Sequence, residues 1–534
     1  MMHLHKVKWI VVTGGVLSGL GKGVVSASIG RLLADKYKVI PVKCDGYLNV
    51  DPGTMNPVEH GEVFVLNDGG EVDLDFGHYE RFMNIDCKFE WNLTSGKIFQ
   101  SLVEKERRGD FLGKTVQVIP HVTGEIRQRW KTIAKKEDAD IMLIEIGGTV
   151  GDLENLWFLE AVRELEAEVG RKNILFVHLG LVPAIDTLGQ QKTKPIQQSI
   201  FFLRERGIFP DIIIGRAKEL LGEKTKLKIH WLCNVDIDAI ISDPNLESVY
   251  ELPLIFEEEN LRKVISRKLD IKVSKDLNMW KGLVNNIKNP KRELTIAICG
   301  KYTELADSYI SIEEALGHAG AHLGAKTKVL WIETTDVEQG KINLENIFKN
   351  VNGVIIPGGF GSRGVEGKIE VIKYAREHNI PYLGLCYGLQ LAVVEFARNV
   401  CGLESANTTE ADKKTPHPVI DILPEQKNIE NKGGTMRLGS YKALLKKGSK
   451  VSKLYKSNVI FERHRHRYEV NPAYHEILQK NGLIFSGMSP NGRLVEFIEL
   501  QKNKYFIATQ AHPELKSRLL TPSPLFLGFI KSLF

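Results

Sequence analysis

Cys386 lies in the pentapeptide GLCYG at 384–388, after a short apolar run and before a helical pattern, the arrangement of a nucleophile elbow with cysteine in place of serine. Only small neighbours permit so sharp a turn. A helix N-terminus favours the anionic form of a thiol and sets backbone N–H groups beside a developing oxyanion. A base and its orienter stand 126 residues downstream, where QAHPE carries His512 and Glu514 two positions apart in a proline-stiffened segment. These three residues predict acyl transfer through a Cys-His-Glu triad. The glycine-rich turn PGGFGSRG at 357–364 offers the N–H of Gly359 as a further oxyanion donor.

A second chemistry is written at 14–23, GGVLSGLGKG, between an apolar strand and a helical pattern. Glycines let several N–H groups turn inward, the helix start adds partial positive charge, and Lys22 can reach the β- and γ-phosphates of a nucleotide. The spacing exceeds GxxxxGK[ST] by one residue, and Gly23 replaces the Ser or Thr that usually holds Mg²⁺. Cation ligands must therefore come from elsewhere. Asp73 and Asp75 in EVDLDFGHYERF and Glu145 in IMLIEI are the candidates, since Mg²⁺ takes one or two carboxylates with phosphate and water. Asp73 reads equally well as a helix cap or an ion-paired acid. Lys43 closes a strand before a polar loop, and Lys192 and Lys194 precede Pro195 in QQKTKPIQQS, where an anionic substrate or plain solvent would suit them.

Elements to position these residues are legible on both sides of a polar stretch. β-branched runs at 7–13, 39–44, 141–146, 173–179 and 211–214 alternate with helical patterns, which predicts an α/β, P-loop-like domain with a mostly parallel sheet. Strands restart at 294–299, 329–333, 354–357 and 382–386, after a Lys- and Asn-rich segment expected to be a linker at 273–292. The expected domains are 1–272 and 293–534, consistent with a chain of 534 residues, too long for one core. The Pro-containing stretch 413–434 reads as a long loop, a candidate lid.

Composition narrows the classes. With 43% hydrophobic and 26% charged residues and no run near ~18 apolar residues, the chain reads as soluble, with no membrane partner. The opening residues lead straight into a strand without a signal-peptide pattern, so the expected address is the cytoplasm. Six cysteines without CxxC pairs fit reduced thiols. A net charge of +6 from interspersed residues, without basic-aromatic patterning, gives no reason to expect a nucleic-acid partner.

GLCYGLQ, the HPE of 512–514 and the PGGFG turn resemble a class I glutamine amidotransferase domain, and the whole chain is similar to the CTP synthase family. The resemblance rests on SGLGKG, NVDPGTMNP, HGEVFV, DLDFGHYERF, EIGGTVGDLEN, KTKPIQ, GGFGSRGVEGK, GTMRLG and ERHRHRYEVN, in that order. It implies a ligase that converts UTP to CTP, in which ATP phosphorylates the uracil 4-oxygen and ammonia from glutamine, passed through an internal tunnel, displaces the phosphate.

By residue, the resemblance gives ATP to Gly19, Leu20, Gly21, Lys22, Gly23 and Asp75, Mg²⁺ to Asp75 and Glu145, and assistance in phosphoryl transfer to Lys43. Ser18, Asp152, Leu153, Glu154, Lys192, Thr193, Lys194, Pro195, Ile196, Gln197 and Lys228 match positions for UTP or the inhibitor CTP. Gly359, Tyr387, Gly388, Leu389, Gln390, Glu410 and Arg467 match positions for glutamine, with Cys386, His512 and Glu514 catalytic. GTP is implied as allosteric activator near GTMRLG at 434–439, with Phe360 and Arg363 as contacts, and the implied assembly is a homotetramer able to form filaments. The family commonly shows CLGMQ, FHPEF, KTKPTQ and DPYINVDPG where this chain has Tyr387, Ala511, Ile196 and Gly46. A different ATP-dependent amidoligase, or a non-catalytic nucleotide-responsive assembly protein, would share parts of this pattern.

Overall fold

Strand Lys8–Gly14 runs through the middle of a seven-stranded sheet in the spatial order Ile240–Asp243, Ile212–Arg216, Ile174–Leu181, Lys8–Gly14, Ile141–Ile146, Val39–Asp45 and Asn92–Thr94. Every pairing is parallel. These strands are apolar on both faces, as expected where helices cover both sides of a parallel sheet. The register sets Lys43 opposite Glu145 near the carboxyl ends of adjacent strands, the edge at which such sheets bind ligands.

The structure, a computed structural model, describes residues 6–55, 61–185, 189–273, 276–301, 309–422 and 436–534. The chain divides into one unit of residues 1–51 and 78–281, which holds this parallel sheet, and a second of residues 52–77 and 282–534.

The second unit is built on nine strands in the order Ala325–Glu333, Arg292–Gly300, Gly353–Ile356, Tyr382–Leu385, Phe506–Thr509, Val495–Glu499, Ile484–Met488, Arg437–Leu445 and Val459–His466. The first five are parallel and the rest are joined antiparallel. Separate apolar cores fill its two faces, one including Leu389 and Val393, the other Leu383 and Phe526.

Three stretches differ from the sequence reading. The expected linker contains helix Asn278–Lys288, because Trp280, Leu283 and Val284 share one helical face and are buried. Residues 52–77 belong to the second unit, where strands Phe64–Val65 and Glu71–Val72 form a hairpin with Phe64, Val65 and Leu66 buried. Within the expected lid, Pro418–Ile422 is a strand paired with Tyr468–Val470, since Val419 and Ile420 bury their side chains; residues 423–435 lie outside the described residues.

Candidate functional site

The elbow is sterically dictated. A Cβ on Gly384 would sit 2.6 Å from the Tyr382 hydroxyl, and one on Gly388 would sit 2.3 Å from the Ile356 carbonyl oxygen. Between them Cys386 takes φ 47° and ψ −95° as the cap of helix Tyr387–Asn399, a backbone conformation that costs energy for a non-glycine residue. Its N–H donates to Thr509 O at 2.8 Å, which fixes the turn to the neighbouring strand.

His512 and Glu514 follow that neighbouring strand, and His512 Nδ1 lies 2.7 Å from Glu514 Oε1. Burial acts to lower the His512 pKa, but the Glu514 carboxylate and the Cys386 sulfur, which also hydrogen-bonds the ring, outweigh it and raise the value from 6.5 to about 10. The triad residues line one cavity of about 530 Å³ together with Gly359, Gln390, Glu410 and Arg467. Gln390 donates to Tyr468 O at 2.9 Å, while its own Oε1 is buried with no hydrogen-bond partner among the described residues. Glu410 accepts the Gly361 N–H at 2.9 Å; burial raises its pKa, opposed by that bond and by Lys301 and Lys368.

Not all of the glutamine-matching run points inward. Leu389 packs in the core, Gly388 lies against Ile356, and the Tyr387 side chain is buried with its hydroxyl donating to Gly361 O at 2.8 Å. Phe360 lines the cavity, with its carbonyl accepting from Lys301 Nζ, and Arg363 lies exposed 3.8 Å from Glu333. Of GTMRLG, Gly434 and Thr435 fall outside the described residues, and Arg437 begins a strand.

Several site groups escaped the sequence reading. Gln510 Nε2 lies 3.6 Å from Cys386 Sγ, and the Arg465 carbonyl stands 4.0 Å from the same sulfur. The alternation of QAHPE, with Gln510 two residues before His512, is the signal that would have exposed Gln510. Glu62 and Val63 also line this cavity, and no local pattern links them to a triad more than 300 residues away.

In the first unit, Gly19 and Gly21 have φ of 72° and 95°, so the loop turns as only glycine does easily. Ser18 and Gly19 are exposed, Leu20 and Gly23 are buried, and Lys22 folds back to donate from Nζ to Gly148 O at 2.6 Å. Beneath the loop, Thr13 Oγ1 and Ser199 Oγ lie 2.9 and 2.8 Å from the two nitrogens of His178, and burial lowers that imidazole to about 3. This neutral relay fastens the loop strand to helix Lys194–Glu205, which carries the end of the KTKPIQ motif.

Lys43 and Glu145 are both buried, with Nζ 3.5 Å from Glu145 Oε1 and 3.8 Å from Asp45 Oδ1; Tyr79 donates to Glu145 Oε2 at 2.7 Å. Among the described residues no group of three or more His, Cys, Asp or Glu could hold a metal by protein ligands alone. A lone oriented carboxylate still fits Mg²⁺, a hard ion that keeps water and phosphate oxygens. Asp75 opens helix Asp75–Met83, and Asp73 Oδ1 accepts the N–H of the next residue, Leu74, at 2.7 Å.

Asp152 is engaged locally, accepting from Thr149 N–H and Oγ1 at 2.6 and 2.9 Å, while Leu153, Glu154 and Lys228 are exposed. Lys192 reaches Gln190, Thr193 accepts from Gln197 at 2.7 Å, and Lys194 and Pro195 start the helix. Ile196 is fully buried against Gly180, where a Cβ would lie 2.4 Å from Ile196 Cγ1, so its side chain serves packing.

Comparison with known proteins covers both halves. The model described as CTP synthase N-terminus matches residues 8–271, and the model of class-I glutamine amidotransferases matches residues 304–532. A CTP synthase of Methanococcus maripaludis is 54% identical over 533 residues, covering 98% of this chain and 99% of its own. One from Saccharolobus solfataricus is 55% identical over 530 residues, with the same coverage of 98% and 99%. Among solved structures, the glutaminase domain of Trypanosoma brucei CTPS with bound acivicin matches at 36% identity and a TM-score of 0.42, over 45% of this chain and 93% of that one.

Proposed function

The chain belongs to the CTP synthase family, whose reaction is the glutamine-dependent amination of UTP to CTP, and we propose that Cys386, His512 and Glu514 perform its glutamine half. The observation that carries this reading is the strained Cys386 elbow opening into the same cavity as the hydrogen-bonded His512–Glu514 pair. Cys386 Sγ attacks the side-chain carbonyl carbon of glutamine, and the N–H groups of Gly359 and Tyr387 receive the oxyanion. His512, held protonated by Glu514, gives its proton to the nitrogen as the C–N bond breaks. Ammonia leaves and a glutamyl thioester remains. Water then attacks the thioester, His512 takes its proton, and glutamate departs. Gln390, whose buried Oε1 has no partner among the described residues, Glu410 and Arg467 orient the amino acid, Arg467 through the ligand's carboxylate.

The N-terminal half, 1–272, takes ATP on the 19–23 loop and Lys22, with Lys43 beside the transferring phosphoryl group, and UTP or CTP on Ser18, 152–154, 192–197 and Lys228. The 293–534 half supplies ammonia to it within the protein. Glu145 and Asp75 are the carboxylates that would hold Mg²⁺, which when bound would offset charge on the ATP phosphates. Tyr79 and Lys43 hold Glu145 in place. GTP activates the glutamine half through the Phe360 and Arg363 edge, and CTP inhibits at the UTP positions.

A homotetramer agrees with the exposed apolar side chains of Phe201, Phe209, Trp231 and Leu232. No described helix is long and apolar enough to cross a membrane, and a cytoplasmic address accords with six free cysteines.

The test is CTP formation from UTP, ATP and Mg²⁺ with either glutamine or ammonium, for the parent and Cys386→Ala. Glutamine-dependent synthesis should vanish while ammonium-dependent synthesis persists. A Cys386→Ala protein that still consumes glutamine would sink the assignment.

A further inference from the structure

The residue after the nucleophile carries a buried side chain that does not line the triad cavity. Tyr387 is 1% exposed, and its hydroxyl reaches the carbonyl of Gly361 at 2.8 Å, on the turn that bears Gly359. Burial raises the phenol pKa well above its ordinary value, so the group is a donor at any working pH. The same peptide neighbourhood is held from other sides: the Gly361 N–H donates to Glu410 at 2.9 Å, and Lys301 Nζ donates to Phe360 O. Lys368 Nζ stands 5.1 Å from the Tyr387 ring centroid, within cation–π range.

This geometry joins the two walls of the oxyanion hole through one residue. The Tyr387 N–H is at the first position of the elbow helix, where no intrahelical acceptor exists. The other donor, Gly359, sits in a turn of four glycines among eight residues, a segment with large intrinsic backbone freedom. An oxyanion donor acts only when it is already in place as charge develops. The phenol bond two residues beyond Gly359 removes freedom from the donor that most needs it, and an aliphatic side chain at 387 has no group to make that bond.

We propose that Tyr387 is a positioning residue for glutamine hydrolysis, its backbone N–H forming one wall of the oxyanion hole while its hydroxyl pins the 357–361 turn that forms the other. The inference rests on the reading of Cys386 as the glutamine nucleophile.

The test uses full-length Tyr387→Phe, which removes one oxygen, assayed for glutamine hydrolysis with ATP, UTP, GTP and Mg²⁺ present. The expected result is a kcat lowered about tenfold with the glutamine KM within about twofold. Alkylation of Cys386 by iodoacetamide, a displacement that develops no oxyanion at the hole, should stay within about twofold of the parent rate. An unchanged kcat overturns the proposal. So does a raised KM with kcat retained, which would make Tyr387 a wall of the glutamine pocket, and so does a parallel loss of alkylation, which would place its effect on the sulfur. Ammonium-dependent CTP synthesis reports folding, and if Tyr387→Phe lost it, Tyr387→Leu would be judged by the same criteria. Glutamine hydrolysis surviving in Cys386→Ala would remove the underlying reading, whatever Tyr387→Phe does.

Discussion

A Cβ added to Gly358 would lie 2.7 Å from Cε1 of His512, closer than side-chain carbons approach in folded proteins. The ring cannot swing aside freely, because its Nδ1 is held 2.7 Å from Glu514 Oε1. Gly358→Ala should therefore displace the imidazole and lower glutamine hydrolysis by roughly 100-fold. Ammonium-dependent CTP formation should stay near the parental rate. Steady-state assays with the two nitrogen sources check this, and equal losses on both would show that the substitution damages more than the triad.

His512 also sets a pH signature. Its folded pKa, about 10, lies above the ordinary 6.5, despite burial that acts to lower it. Folding is thus favoured by the imidazolium: this stabilisation is fully present below about pH 6.5 and is lost as pH rises through about 10. In Glu514→Gln the pairing charge is gone, and the His512 titration should move down toward its ordinary range. NMR of histidine-labelled protein follows the Cε1–H resonance; a midpoint unmoved by Glu514→Gln would show that Glu514 is not the dominant partner.

Much of this arrangement is local and was readable from the sequence. The elbow and the phosphate loop each set glycines around one reactive side chain, HPE joins a histidine and a glutamate through a stiffening proline, and the parallel strands announce themselves as β-branched runs. What stayed hidden depends on tertiary pairing. The basic ERHRHR run looks solvent-facing in one dimension, but strand alternation sends Arg463 and Arg465 to one side and His464 and His466 to the other. The two imidazoles are buried 2.9 Å apart, beside Arg437, which pairs with Glu469 at 2.8 Å and Glu496 at 2.6 Å. Residues 52–77 offered no sign that they pack with a sheet formed hundreds of residues later. Tyr387 was visible as a departure, but its partner Gly361 was not.

The strand Val459–His466 presents successive outward carbonyls to the triad: Arg463 O accepts the His512 N–H at 2.7 Å, and Arg465 O stands 4.0 Å from Cys386 Sγ. Its arginines are tied to the 52–77 segment, Arg463 Nε to Asn67 Oδ1 at 2.7 Å and Arg465 Nε to the buried Glu71 at 2.8 Å. Glu71→Ala should loosen the strand and lower glutamine hydrolysis about three- to tenfold. Arg465→Ala leaves the Glu71 carboxylate buried without that cation, and should cost about 3 kcal/mol as well. Thermal unfolding and glutaminase rates test both, and a Glu71→Ala protein with parental kcat would show that the hairpin has no hold on the triad.

Lys22 tests the other half. Its stem crosses Gly14, where a Cβ would lie 2.7 Å from Lys22 Cδ, and its Nζ reaches Gly148 O at 2.6 Å, so the ammonium is aimed across the loop. A cation preorganised beside transferring phosphoryl oxygens supplies transition-state stabilisation that water cannot replace. Lys22→Ala should lower CTP formation at least ~100-fold with glutamine and with ammonium alike. Gly14→Ala should weaken synthesis in the same direction, because the lysine stem must move. Iodoacetamide labelling of Cys386 should be unchanged in both variants. Ammonium-dependent synthesis surviving in Lys22→Ala would take this lysine out of the phosphoryl-transfer step.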